Sequence, residues 1–225
     1  MSLVKNVKTY PAKQPSTREA LFLCGFGGRI WQGKRLINVL RRNGYHVTAL
    51  DFSTEVLSKG DPKLLPELID EVVAFAETKA KGASEPILLV GVSLGALISL
   101  NILRRSKHFN EGVLITGGDI AKVALRIYGN HVWPQSYDKL AEQWLSINMY
   151  TPPKQLRGKR LLFVLPAHDR VVDTSDVYRE VSLQNKTGNH LLLVTRRPFG
   201  HTGTILEETV LFPRRVLSYI ERIKA

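Results

Sequence analysis

Ser93 lies at the centre of the pentapeptide Gly-Val-Ser-Leu-Gly, residues 91–95. A serine hydroxyl becomes a good nucleophile only when a neighbouring base takes its proton, and a carboxylate must hold that base in place. The two glycines leave room for a strand and a helix to pack closely on either side of a strained turn. The spacing G-x-S-x-G is therefore typical of a nucleophile elbow, which presents a serine at a strand–turn–helix apex.

Two later segments supply a carboxylate and an imidazole in the order that an elbow requires, acid first and histidine second. Asp169 follows the apolar run 161–165, and His201 follows the apolar run 191–195. The functional groups of a parallel sheet gather at the carboxyl ends of its strands, so both side chains are expected at the same edge as Ser93. The spacing therefore favours Asp169 and His201 as the partners of Ser93.

The elements that must position these residues follow from hydrophobic periodicity. Apolar runs predict strands at 20–24, 45–51, 86–90, 112–116, 159–165 and 190–195, with one more within 3–10. Helical spacing predicts helices over 30–42, 64–80, 96–105 and 204–224, the last of them kinked at Pro213. Continuous apolar strands separated by helices indicate an α/β protein, with a mostly parallel sheet of about six to seven strands and helices on both faces.

The segment 119–155 interrupts this alternation of strands and helices. It carries large apolar side chains, among them Trp133 and Trp144, between two core strands. It is either an ordinary crossover with helices and long loops or a small lid over the site. The chain as a whole, 1–225, is expected to form a single domain.

The composition restricts the class of protein. The 225 residues are 44% hydrophobic and 23% charged, which are ordinary values for a soluble globular protein. No run of about 18 apolar residues occurs, so no membrane span is expected. The N-terminus lacks the apolar core of a signal peptide. Cys24 is the only cysteine, so no intrachain disulfide can form, and we expect a cytoplasmic protein.

The net charge is +12, from 32 basic and 20 acidic residues, and such an excess of positive charge is one feature of proteins that bind nucleic acid. The basic residues occur as scattered pairs, such as Arg41-Arg42 and Arg104-Arg105, without zinc-finger spacing or an RNA-binding signature. We interpret them as a solvated basic surface and expect no nucleic-acid partner. Four further histidines, His46, His108, His131 and His190, also lack the spacing of metal ligands, so no metal site is expected.

The chain resembles the α/β-hydrolase fold family over nearly its whole length. The resemblance is carried by four segments in the family's order: 25–28, 91–95, 169–172 and 200–203. It implies that Ser93 is the nucleophile, His201 the general base and Asp169 the orienting carboxylate. It also implies that the backbone N–H groups of Leu94 and Phe26 form an oxyanion hole. The resemblance implies no cofactor.

Two features depart from the family pattern. Many members carry His-Gly at the start of the first loop, where this chain has Cys24-Gly25. That position supports the loop and takes no part in the chemistry, so activity is still expected. The region before Ala20 leaves room for about one strand, so the sheet is expected to be smaller than the family's usual eight strands.

The acid remains open to alternatives at this stage. Asp173 lies four residues beyond Asp169, and Asp119 follows the strand 112–116, where some family members place their acid. His168 is adjacent to Asp169, but neighbouring side chains diverge, so we interpret it as a loop residue. Ser93 could also occupy an elbow without activity in a ligand-binding protein of the same fold.

The resemblance implies a serine hydrolase, most like a carboxylesterase, that acts on a small molecule with an ester or related acyl bond. A thioesterase or an acyltransferase would share the same acyl-enzyme on Ser93. Arg29, Arg170 and the pair Arg196-Arg197 fall in loops that are predicted to surround the serine. Such a cationic rim would favour a substrate with negative charge.

Overall fold

The structure, a computed structural model, describes residues 2–148, 156–173, 175, 177–179, 181–182, 190–196 and 200–224. Its strands are β1 (Val4–Tyr10), β2 (Glu19–Leu23), β3 (His46–Phe52), β4 (Leu88–Val92), β5 (Glu111–Ile115), β6 (Arg160–Pro166) and β7 (His190–Arg196). Its helices are α1 (Lys34–Arg42), α2 (Glu55–Ser58), α3 (Leu64–Lys81), α4 (Leu94–Arg105), α5 (Ile120–Tyr128), α6 (Tyr137–Gln143), α7 (His201–Leu206) and α8 (Arg215–Lys224). A 3₁₀ turn (Ile30–Gly33) precedes α1, and a π-helical turn (Glu207–Leu211) follows α7.

The strands form one seven-stranded sheet in the order β1-β3-β2-β4-β5-β6-β7. Every pair is parallel except β1 with β3, where Val7 lies opposite Leu50 in an antiparallel register. The central strand β4 is buried at all five positions, which is why its sequence is a continuous apolar run and does not alternate. The predicted fold class, a mostly parallel sheet with helices on both faces, is confirmed.

Helices cover the sheet on both faces and bury two separate hydrophobic clusters. α1 and α8 pack on one face, where Leu36, Ile37 and Ile220 contact the sheet. α3, α4 and α5 pack on the other face, in a cluster that includes Leu68 and Leu97. Among the described residues, no helix has both the length and the apolar surface that crossing a bilayer requires.

The end of the chain differs from the single kinked helix that the sequence predicts over 204–224. The helix begins earlier, at His201, widens into the π-helical turn and ends before Pro213. Proline has no N–H to donate and its ring clashes with the preceding turn, so here it ends the helix instead of bending it. α8 then starts at Arg215 as a separate helix.

The described part of the segment 119–155 packs into the core. The rings of Trp133 and Trp144 lie 5.2 Å apart, edge to face, and both side chains are fully buried. Their indole N–H groups donate to the carbonyl oxygens of Leu57, at 3.0 Å, and Pro62, at 2.8 Å. These contacts hold residues 119–148 against the α2–α3 region, while residues 149–155 of the segment lie outside the described residues.

Candidate active site

Ser93 stands at the turn between β4 and α4 in a strained backbone conformation, with φ 52° and ψ −114°. Its N–H donates to the carbonyl of Ile115 on the neighbouring strand at 2.8 Å, and its own carbonyl accepts from the N–H of Ala96 at 2.9 Å. A non-glycine residue with positive φ costs on the order of 1–3 kcal/mol and persists only where its surroundings enforce it. The turn raises the serine side chain out of the sheet edge.

Two glycines make this turn sterically possible. A Cβ on Gly91 would lie 2.3 Å from the carbonyl oxygen of Gly95, and a Cβ on Gly95 would lie 2.1 Å from that of Leu23. Both obstacles are backbone atoms, so they cannot rotate away as a side chain would. Gly95 therefore lets α4 approach the end of β2, and this approach brings the loop 25–28 beside Ser93.

The close approach at Gly95 predicts a large loss of stability when a methyl group is added. Gly95→Ala is expected to lower the free energy of unfolding by about 3 kcal/mol or more. In a chain of this size that corresponds to a fall of roughly 6–12 °C in the thermal midpoint. Gly82→Ala is the control, because a Cβ there would find its nearest neighbour, the carbonyl oxygen of Lys79, at 3.8 Å. Equal midpoints for the two variants would contradict this account of the turn.

Ser93, His201 and Asp169 form one hydrogen-bonded line. Ser93 Oγ lies 3.1 Å from His201 Nε2, and His201 Nδ1 lies 2.9 Å from Asp169 Oδ2. They come from the ends of β4, β7 and β6, so the parallel sheet is what brings distant segments of the chain together. A proton on Nδ1 is shared with the carboxylate, which leaves the Nε2 lone pair free to accept the serine proton.

The carboxylate of Asp169 is fully buried and has acceptor contacts on both oxygens. Oδ2 faces His201, while Oδ1 accepts the backbone N–H groups of Val171, at 2.7 Å, and Val172, at 2.8 Å. Burial acts to raise the pKa of Asp169, but the hydrogen bonds from His201, Val172 and Val171 outweigh it and hold the pKa below its ordinary value. The group thus stays ionised beside the histidine.

Asp173, the first alternative acid, points away from the histidine. Its Oδ2 lies 3.1 Å from Lys122 Nζ, and its Oδ1 accepts from the backbone N–H and the hydroxyl of Ser175. Hydrogen bonds from Ser175 and then Lys122 lower the pKa of Asp173. It belongs to a partly exposed ion pair and contacts neither Ser93 nor His201.

Asp119, the second alternative, is a structural group. It caps the N-terminus of α5 by accepting the N–H of Ala121 at 2.9 Å. It also accepts from the hydroxyl of Tyr137, at 2.7 Å, and from the side-chain amide of Asn148, at 3.0 Å. These contacts use both carboxylate oxygens, so Asp119 holds α5 and α6 together and does not reach the histidine.

The loop 25–28 runs directly alongside the serine. A Cβ on Gly25 would lie 3.2 Å from the Cβ of Ser93. The N–H of Gly28 donates to the carbonyl of Gly25 at 3.0 Å, which closes a tight turn, and Gly27 takes φ 67° within it. A side chain at position 25 would crowd the serine, and one at position 27 would strain the turn.

Leu94 and Phe26, whose backbone N–H groups the resemblance assigns to an oxyanion hole, flank the serine from two elements. Leu94 is the first residue of α4, so its N–H has no acceptor inside the helix. Phe26 lies in the turn 25–28, and its ring packs edge to face on Tyr128 with the centroids 6.1 Å apart. The role of these two N–H groups stays a prediction.

Comparison with protein families identifies the chain. A model of the alpha/beta hydrolase family matches residues 20–203, well over half of the sequence. The chain belongs to the alpha/beta hydrolase family. The matched residues include the turn at Ser93, Asp169 and His201, so they cover the whole of the site described above. Among proteins of curated function, none matches the sequence.

Solved structures of other proteins share the fold of this alpha/beta hydrolase family member. An esterase from Pyrococcus furiosus superposes with a TM-score of 0.67 at 21% identity, over 93% of this chain and 83% of that one. A lipase in an open form gives 0.70 at 12% identity, over 96% and 94% of the two chains. An acylaminoacyl peptidase from Pyrococcus horikoshii gives 0.66 at 12%, over 97% of this chain and 39% of that one. Such identities establish the fold alone.

A cleft of about 880 Å³ opens beside Ser93 and His201. Its walls are the segment 24–38 on one side and the segment 201–210 on the other. Among the described residues, apolar side chains such as Phe22 and Ile205 line it, together with three basic residues, Arg29, Lys34 and Arg35, and no acidic one. Such a lining suits an apolar group next to a negative charge.

The predicted cationic rim is correct for one arginine and wrong for two others. Arg29 lines the cleft, but Arg196 donates to Glu208 Oε1 at 2.6 Å and also contacts the hydroxyl of Tyr219. Arg170 is exposed and does not line the cleft, and Arg197 lies outside the described residues. Hydrophobic periodicity missed Lys34 and Arg35, because exposed basic residues on a helix such as α1 look the same as any solvated helix surface. Their place in the cleft depends on the segment 201–210, which forms the opposite wall.

Cys24 lines the same cleft but is buried, with 3% of its surface exposed. Burial, with a smaller contribution from the charge of Asp51, raises the pKa of the Cys24 thiol to about 12. The thiol is therefore protonated near neutral pH, and we expect it to be unreactive, as the sequence suggested. In the ranges that the structure describes, no three His, Cys, Asp or Glu side chains converge as metal ligands would.

Proposed function

We propose that this protein is a serine hydrolase that cleaves a carboxylic ester, or a related acyl bond, through an acyl-enzyme on Ser93. The observation that supports the proposal is the contact of 3.1 Å between Ser93 Oγ and His201 Nε2, with Asp169 hydrogen-bonded to the far side of the ring. Nucleophile, base and orienting acid in hydrogen-bonding reach are what acyl transfer requires.

In the proposed acylation, His201 Nε2 takes the hydroxyl proton as Ser93 Oγ attacks the carbonyl carbon of the substrate. The carbonyl oxygen becomes an oxyanion, and the N–H groups of Leu94 and Phe26 donate to it. Each such donor typically contributes about 10²–10³ in rate. His201 then gives the proton to the leaving oxygen, so the alcohol departs and the acyl group stays on the serine.

In the proposed deacylation, a water molecule replaces the alcohol and His201 serves again as the base. The water oxygen attacks the acyl carbon, the bond to Ser93 Oγ breaks, and the proton returns to the serine. Asp169 remains ionised throughout, since its pKa lies below the ordinary value. Its negative charge stabilises the imidazolium that forms in both half-reactions.

A fluorophosphonate probe with peptide mapping tests this proposal. Labelling of Ser93 is expected, and loss of labelling in His201→Ala would show that the histidine activates the serine. Absence of labelling in the folded wild-type protein would instead support a ligand-binding protein on the same fold. The probe would label an esterase, a thioesterase and an acyltransferase alike, so it does not distinguish them. Hydrolysis of thioester substrates would identify a thioesterase, and transfer of the acyl group to an added alcohol would identify an acyltransferase.

We further propose that the acyl substrate carries negative charge, since Arg29, Lys34 and Arg35 line the cleft and none of the other described lining residues is acidic. p-Nitrophenyl esters of increasing chain length, with and without a terminal carboxylate, test this proposal. The anionic esters are expected to gain in kcat/KM at low ionic strength and to lose that gain as salt screens the cations. No such gain would restrict the proposal to neutral esters.

We also propose that the chain is one domain, in which the described part of the segment 119–155 is fixed to the core and is not a lid. The two buried tryptophans hold it to the core, and none of residues 119–148 lines the cleft beside Ser93. Near the site, the ring of Tyr128 packs on Phe26, and Arg126 donates to the carbonyl of Arg170, the residue after Asp169. The segment therefore supports the loop 25–28 through the contact of Tyr128 with Phe26.

A further inference from the structure

The mouth of the cleft is surrounded by exposed apolar side chains. Four large ones lie at the mouth or in the groove next to it, with exposed fractions of 70%, 47%, 51% and 48% respectively: Trp31, Leu206, Leu211 and Phe212. Trp31, in the 3₁₀ turn, and Leu206, at the end of α7, line the two walls of the cleft. Leu211 ends the π-helical turn and Phe212 follows it, and both line the adjacent groove. A group of large apolar side chains left in water marks a binding surface.

The same face carries exposed basic residues: Arg29, Lys34, Arg35, Arg42 and Arg214. Arg35 joins the cleft to a second groove of about 440 Å³, which continues along α1 to Phe212 and Arg214. We call these five basic and four apolar residues the basic–apolar face. Within the described part of the chain, none of its five cations forms an ion pair.

The acidic residues near the basic–apolar face do not neutralise it. Glu207 and Glu208 are buried and are paired with Arg215 and Arg196 respectively, neither of which is among the five cations counted above. Asp51 is buried below the cleft, where it accepts from the side chain of Asn6 and the N–H of Ile30. Of the residues that the structure describes, no acidic one lines the cleft or the second groove. The face therefore presents unneutralised positive charge around an apolar centre.

We propose that the basic–apolar face docks the protein on the anionic surface of a lipid bilayer. The four apolar side chains would enter the headgroup layer, and the cations would contact lipid phosphates, which is how surface-bound proteins combine apolar burial with charge attraction. Docking does not depend on the function proposed above. If that function holds, docking turns the mouth of the cleft toward the lipid, from which an acyl substrate can enter.

Two other occupants fit the face less well. A second copy of this chain, placed face to face by a two-fold axis, would bring the same cations against each other. A nucleic acid would match the charge and could stack on Trp31 and Phe212, but it would leave the exposed aliphatic side chains of Leu206 and Leu211 without an apolar partner. A bilayer with anionic headgroups matches both the charge and the aliphatic side chains.

The test uses Ser93→Ala protein, so that binding is measured without hydrolysis. The protein is expected to sediment with vesicles of phosphatidylcholine mixed with phosphatidylglycerol. It is expected to stay in the supernatant with vesicles of phosphatidylcholine alone. Because Trp133 and Trp144 are fully buried, a change in tryptophan emission reports on Trp31. A blue shift and protection from acrylamide are expected with the mixed vesicles and should vanish in Trp31→Ala.

Matched triple variants separate the face from net charge. Lys34→Gln with Arg42→Gln and Arg214→Gln is expected to weaken vesicle binding roughly 100-fold, from the usual contribution of a cation at an anionic surface. The control removes three exposed cations on the amino side of the sheet: Lys81→Gln with Lys107→Gln and Arg157→Gln. It is expected to change binding by about threefold or less, since those charges lie at the edge of the sheet opposite the cleft and are screened by salt.

Several results would overturn the proposal. Equal weakening by the two triple variants would mean that only net charge matters. Absence of binding to the mixed vesicles, or equal binding to both vesicle types, would remove the anionic bilayer as the partner. Tighter binding of a short RNA without a Trp31 emission change would point to nucleic acid, and a concentration-dependent dimer lost in Trp31→Ala would point to a second copy.

Discussion

Replacing Ser93 by alanine is expected to lower kcat/KM for a short-chain p-nitrophenyl ester by about 10³-fold or more. The variant keeps the cleft and the histidine but removes the oxygen that His201 Nε2 contacts at 3.1 Å. Without that oxygen no acyl-enzyme can form, and the residual rate comes from water alone. The measurement is steady-state turnover of wild type and variant, with the burst of p-nitrophenol that an acyl-enzyme produces in the wild type.

Ser99→Ala is the matched control for this experiment. Ser99 lies in α4, six residues beyond Ser93, and is fully buried with no hydrogen-bond partner for its Oγ among the described residues. Its replacement removes the same functional group from the helix that follows Ser93, and we expect activity within about threefold of wild type, as for changes remote from the chemistry. Equal turnover by wild type and Ser93→Ala would refute the assignment of the nucleophile.

Asp169→Asn is expected to reduce kcat by roughly 10⁴-fold, the loss typical of this change in a serine–histidine–acid triad. The carboxylate accepts from His201 Nδ1 at 2.9 Å, whereas an amide can donate to that nitrogen. The ring then carries its proton on Nε2 and cannot accept one from Ser93. KM should change little, because Asp169 does not line the cleft.

The two other aspartates provide the comparison. Asp173→Asn changes an acid four residues away that pairs with Lys122, and its activity is expected within about threefold of wild type. Asp119→Asn is expected to lower stability, since it weakens a buried cap of α5, while the folded fraction keeps its activity. A larger loss of kcat in either variant than in Asp169→Asn would mean that the acid is wrongly assigned.

Stability against pH gives a second readout for Asp169 that does not depend on activity. Its pKa in the folded protein lies below the ordinary value, so its contribution to stability is present above about pH 4 and is lost as the pH falls through the folded-state pKa. The difference in unfolding free energy between wild type and Asp169→Asn should therefore shrink on acidification. A difference that stays constant with pH would contradict the lowered pKa.

The sequence by itself determined the central strands and the turn at Ser93. A strand buried on both faces must be apolar throughout, so β4 and β6 can be recognised without knowledge of their partners. The turn at Ser93 is also local, because the glycines that relieve it lie two residues to either side. The family resemblance extended this to the acid and the base, since Asp169 and His201 follow strands in the expected order.

Only the tertiary structure decided which aspartate meets the histidine and which cations surround the cleft. Asp119, Asp169 and Asp173 all follow core strands, and what separates them is the path of each loop, which depends on contacts with other elements. The same holds for Arg196, which is drawn to the buried Glu208 by the packing of the π-helical turn. Periodicity reports whether a side chain is buried, but it does not report which segment lies opposite, and the chemistry of this cleft depends on that pairing.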